Sequence, residues 1–81
     1  MNYRLLHLFF AVEMIMLPHQ QRVVDEKNEL FDKVEKLDAF IKTNPIFWQM
    51  ELQDRQLLEE QLKHMNAYWN VLRQRVEGFT K

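Results

Sequence analysis

The stretch QLLEEQLKHMNAYWNVLRQRVEGF, residues 56–79, decides the fold. Within it Leu58, Leu62, Met65, Trp69, Leu72, Val76 and Phe79 advance by four and three without a break. Seven consecutive positions at that spacing put one apolar seam along one face of a helix. Asp54 suits the N-cap of this helix, and Gly78 in its last turn suits a stop. The spacing predicts a helix over 54–79.

A weaker version of the same seam lies upstream. Val23, Leu30, Val34, Leu37 and Ile41 keep the heptad step, with Lys27 as its polar interruption. Val24, Phe31 and Phe40 widen the apolar face beyond a two-stranded seam. On the opposite face Glu29 and Lys33, and Asp32 and Lys36, stand at i,i+4 in the favourable order. Pro18 suits a first helical position, so a helix over 18–43 is predicted. Asn44-Pro45 ends it, because a residue before proline is pushed out of the α region. Residues 44–53 then form a connection between two helices of roughly 25 residues each, an antiparallel hairpin roughly 37 Å long.

Composition agrees with an all-α fold. The 81-residue chain has one glycine, two prolines and no cysteine, so turn glycines and disulfide or thiolate zinc frameworks are missing. Serine is absent as well, and threonine occurs only at Thr43 and Thr80, which removes covalent catalysis through Ser or Cys. A formal net charge of −1 argues against generic nucleic-acid binding. Residues 1–17, MNYRLLHLFFAVEMIML, are apolar but interrupted by Arg4, His7 and Glu13. They are too short and too charged for a membrane span, and no small-x-small cleavage site follows. They read as a short N-terminal apolar helix or as an upstream extension, with residues 18–81 as the hairpin domain.

The hairpin carries more large side chains than one seam can bury: Phe31, Phe40, Phe47, Trp48, Tyr68 and Trp69. The N-terminal helix, further copies of the chain, or both must cover the rest, and a homo-oligomer is the leading expectation. Phe47 and Trp48 in the connection either cap the closed end of the core or anchor a partner. Glu60 and His64 share a helix face, but no third ligand stands near them and a solvated pair is the plainer reading. No catalytic residue, metal site or cofactor is expected.

The opposite, open end is more suggestive. Its first turn, His19-Gln20-Gln21-Arg22, has no acid to offset the helix dipole. An antiparallel pairing brings it beside Asn70, Arg73, Gln74 and Arg75. A helix N-terminus with arginine forks suits a phosphate. The plainer reading is that Arg22 pairs with Glu26, while Arg73 and Arg75 complement the dipole of their own helix.

PHQQRVVDEK (18–27), KLDAFIKTNPIF (36–47) and the opening stretch together resemble a family of short tailed-phage and prophage proteins. These are known by relation to a protein of a crAss-like phage. The resemblance covers Pro18–Phe79 and leaves residues 1–16 outside it. It implies a phage accessory product, a class that includes counter-defence and host-takeover factors. Some proteins of that class are oligomeric sponges for cyclic-nucleotide or ADP-ribose-type immune signals.

The leading reading is therefore a non-enzymatic, oligomeric phage binding protein in the cytoplasm of the infected bacterium, with a counter-defence sponge as its sharpest form. Its ligand is a phosphate-bearing nucleotide, with His19, Gln20, Arg22, Tyr68, Arg73 and Arg75 as ligand-binding residues and Tyr68 or Trp48 available for stacking. The alternative is an inhibitor or assembly factor that docks on a host or phage protein through Phe47 and Trp48. A purely structural coiled-coil module is the third reading.

Overall fold

The computed structural model describes residues 16–80, and among these the chain is all-helical with no strand. Three helices follow in order: α1 (Pro18–Thr43), α2 (Pro45–Gln49) and α3 (Leu52–Gly78). At about 1.5 Å per residue the 26 residues of α1 and the 27 of α3 make rods of about 40 Å. They pack against each other as an antiparallel hairpin. The helix expected over residues 1–17 lies outside the described residues but for its last two positions.

Both seams are where the period puts them. All seven positions from Leu58 to Phe79 are buried or half-buried, and Leu72 is fully enclosed. Val23 and Leu30 answer them from α1, with Val34, Met65, Trp69, Val76 and Phe79 packed around. Phe31 lies one position off the seam and stays 44% exposed, its ring tilted on Trp69 at 5.9 Å. That contact fixes the register. A residue numbered n on α1 stands about level with residue 100 − n on α3.

The connection differs from the expected ten-residue loop, because it contains α2 and α3 begins early. Asn44 serves two helices at once. Its N–H donates to Phe40 O at 3.1 Å, closing α1, and its side-chain Oδ1 accepts from Ile46 N–H at 2.9 Å, opening α2. Pro45 then occupies the first helical position, where its missing N–H costs nothing. The Asn-Pro pair is thus a stop and a start together. Met50 and Glu51 are extended, and the chain reverses there.

Two boundary assignments change accordingly. Asp54 is not the N-cap of α3; Glu51 holds that place, and Asp54 is the acid of the first turn, where it offsets the helix dipole. Gly78 does end α3, but without a left-handed cap, since no described residue has a positive φ. Phe79 closes the helix in the right-handed region, its N–H donating to Val76 O at 3.0 Å.

Candidate functional site

The open end is more self-satisfied than its sequence suggests. Leu17 is the N-cap of α1 and has no side-chain acceptor, but its carbonyl accepts from both Gln20 and Gln21 N–H, at 2.9 and 3.0 Å. Gln20 Oε1 reaches back to Leu17 N–H at 2.9 Å, the amide half of a capping box. Gln21 donates through Nε2 to Asp25 Oδ1 at 3.0 Å. Gln20 is therefore committed to the helix start, while His19 and Arg22 stay exposed.

The arginines divide between the two sides of the hairpin. On the register set by Phe31 and Trp69, Arg73 stands level with Lys27 and Arg75 with Asp25. His19–Arg22 lie level with Gly78 and beyond. The first turn of α1 thus stands about one turn beyond Arg75 along the hairpin axis, while Val23, the next seam position, packs in one cluster with Leu72, Val76 and Phe79.

Arg73 is spoken for. Its Nη1 pairs with Glu77 Oε1 at 2.7 Å, and Nε and Nη2 both donate to Asn70 Oδ1, at 3.1 and 2.9 Å. Arg22 and Arg75 form no ion pair among the described residues, and the expected Arg22–Glu26 pair is not made. Tyr68 and Arg75 fall on one stripe of α3 with Leu57, Gln61, His64 and Val71, stepping by four and three. Leu57, Tyr68 and Val71 on that stripe are all exposed. Arg22, one position before the α1 seam, faces the same side. Arg73 faces the other.

That other side holds a feature the sequence reading missed. A groove of about 250 Å³ runs between the helices, lined by Phe31, Val34, Glu35, Asp38, Asn66 and Trp69. Its aromatic wall is the Phe31–Trp69 pair. Trp69 Nε1 is buried with no hydrogen-bond partner. Asp38 Oδ2 holds Lys42 Nζ at 3.0 Å, an exposed i,i+4 pair that leaves Oδ1 open. The groove became visible only with the register, since Phe31 and Trp69 lie 38 positions apart in the chain.

The profile of the Sequestin family matches residues 17–77. The chain belongs to the Sequestin family. The match begins at the N-cap of α1 and takes in α2 and all but the last residue of α3, so the groove and Arg22, Arg73 and Arg75 lie inside the Sequestin region. No curated protein and no solved structure matches the chain.

At the closed end of the Sequestin hairpin the two neighbouring aromatics part company. Phe47 is 1% exposed, edge-on to Phe40 at 6.2 Å and to Trp48 at 5.3 Å. It is a core residue, so of the two readings of this ring the core cap is the one its burial fits, and almost no surface is left on it for a partner. Trp48 is 67% exposed, with the Arg55 guanidinium 5.2 Å over its ring and Arg55 Nε donating to Met50 O at 3.3 Å. Glu60 and His64 approach to 3.6 Å on the solvent side of α3. No described helix is long and apolar enough to cross a membrane.

Proposed function

We propose that this chain binds and sequesters a phosphate-bearing nucleotide of the cyclic-nucleotide or ADP-ribose type without converting it. In this reading it is a phage counter-defence sponge, at work in the cytoplasm of an infected bacterium. The family match over the whole hairpin carries the proposal, since a Sequestin is by name a sequestering protein. The arginine-bearing end supports a phosphate. Arg22 and Arg75 are unpaired among the described residues on one side, and Arg73 stands pre-oriented by Asn70 and Glu77 on the other. The exposed Leu57, Tyr68 and Val71 on one stripe of α3, with polar Gln61 and His64 between them, support a homo-oligomer, because large apolar groups on an outer helix face suit a second helix.

A calorimetric and thermal-shift screen against cyclic di- and trinucleotides and cyclic ADP-ribose isomers tests the reading. The expected result is saturable binding, with the ligand recovered unchanged after the protein is denatured. Charge reversal at Arg22, Arg73 and Arg75, singly and together, then identifies the phosphate side. A folded protein that binds none of these ligands, or that returns a product, refutes it.

One observation favours a second reading. Ile46, Trp48 and Leu52 are 55%, 67% and 59% exposed at the closed end, an apolar patch suited to a protein partner. A stoichiometric partner retained by Arg22→Glu and lost with Trp48→Ala would establish that function instead.

A further inference from the structure

We propose that the groove between α1 and α3 is the subsite for a nucleobase carrying an exocyclic amine, stacked on Phe31 and Trp69 with its amine held by Asp38 and Glu35. The inference rests on the nucleotide reading above and assigns the part of the ligand that the arginines cannot explain.

Three observations converge on it. The first is shape: the wall is a tilted aromatic pair with Phe31 accessible, so the occupant it suits is flat. The second is charge. Two of the six lining residues are carboxylates, which accept hydrogen bonds and never donate when ionised. The carboxylates disfavour a phosphate and offer a carbonyl edge nothing, whereas an amine donates to an ionised acceptor. The third is the Asn66 amide on the groove wall, which can give and accept, as amides do along an adenine edge.

The geometry also orders the ligand along the hairpin. Asn66, Asn70 and Arg73 step by four and three on the groove side of α3. The Arg73 guanidinium is fixed on that side, with Nε and Nη2 donating to Asn70 Oδ1 and Nη1 paired with Glu77 Oε1, so a phosphate bound there must share or displace the Glu77 contact. Seven residues of helix are about 10 Å, a span on the scale of a base and its own phosphate. Arg73 is thus the phosphate arginine of this side, while Arg22 and Arg75 serve the opposite face.

The test uses the full chain with Trp48→Phe, which leaves Trp69 as the single tryptophan and a direct reporter of the groove. Its fluorescence is titrated to millimolar concentrations with two matched pairs, adenosine against inosine monophosphate and cytidine against uridine monophosphate. Each pair exchanges an amine for a carbonyl. The expected result is a Trp69 response in which at least one amine-bearing member binds about tenfold or more tightly than its counterpart. Asp38→Ala with Glu35→Ala is expected to abolish that preference. Arg73→Gln should bring the monophosphate down to the affinity of the free nucleoside and leave the nucleoside itself unchanged. Helicity by circular dichroism confirms that each surface variant is folded.

Two outcomes overturn the inference and are told apart by calorimetry. If cyclic nucleotides bind while Trp69 stays silent, or both members of each pair bind equally, the groove is not the base subsite and the nucleotide reading survives. If neither monophosphates nor cyclic nucleotides bind a folded protein, both fall together.

Discussion

Replacing Phe47 with alanine is expected to remove a large share of the stability of the hairpin. The ring is 1% exposed and meets Phe40 and Trp48 edge-on, so the cavity it leaves has aromatic walls that cannot collapse without moving α2. Truncations of this type cost about 3–5 kcal/mol. A chain of 81 residues has about 4–12 kcal/mol in total at the usual stability per residue. The loss is therefore about a quarter of the stability at least, and all of it at the low end of that range. In urea, with a slope of about 1 kcal/mol/M for a protein this small, the midpoint should fall by about 3–5 M or the cooperative transition should vanish. Phe47→Leu fills much of the same space and should cost less than about half as much. Circular dichroism at 222 nm, at one protein concentration, reads both. A Phe47→Ala midpoint within about 1 M of the parent refutes the reasoning: the closed end would then not be core, and contacts outside the described hairpin would hold the helices together.

Three further outcomes follow from the same geometry. Trp48→Ala removes an exposed ring and one cation–π contact worth about 0.5–1 kcal/mol, so its urea midpoint should move by less than about 1 M; a larger shift places Trp48 in the core with Phe47. Leu17→Asp gives α1 the side-chain cap and the first-turn charge it lacks and should stabilise the protein by about 0.5–1 kcal/mol. The same variant should weaken any anion bound at that helix start, which calorimetry reads, and an unchanged midpoint refutes the capping argument. Val71→Glu with Tyr68→Glu puts like charges on the outer stripe of α3 and should yield a monomer by light scattering while α3 stays helical; an unchanged mass refutes that stripe as the contact between copies.

Period and punctuation carried most of the fold. The Leu58 to Phe79 seam needs only the 3.6-residue repeat, and every one of its positions turns inward. What failed was punctuation with two meanings. Asn44-Pro45 stops one helix by its backbone and starts another by its side chain, and the sequence alone favours neither role. Asp54 is a good capping residue, yet Glu51 takes the cap because the extended Met50-Glu51 pair sets where α3 can begin. Such local choices shift a helix start by a turn or less. Their effect on the site is larger, because the point of reversal sets the register for the whole length of α3.

Register is the quantity that separates the arginines. Read as a list, Arg22, Arg73 and Arg75 with His19 and Gln20 form one basic cluster beside an acid-free helix start. In three dimensions Gln20 is spent on Leu17 N–H, Arg73 is held by Asn70 and Glu77, and Arg22 and Arg75 face the Tyr68 side. These residues thus divide between a helix start and two faces with different chemistry. One face carries Arg22 and Arg75, which form no ion pair among the described residues, beside exposed Tyr68 and Val71, and the proposed contact between copies rests on it. The other offers an aromatic groove, two carboxylates and Arg73 held between Asn70 and Glu77, and the proposed base subsite with its phosphate arginine rests on that order.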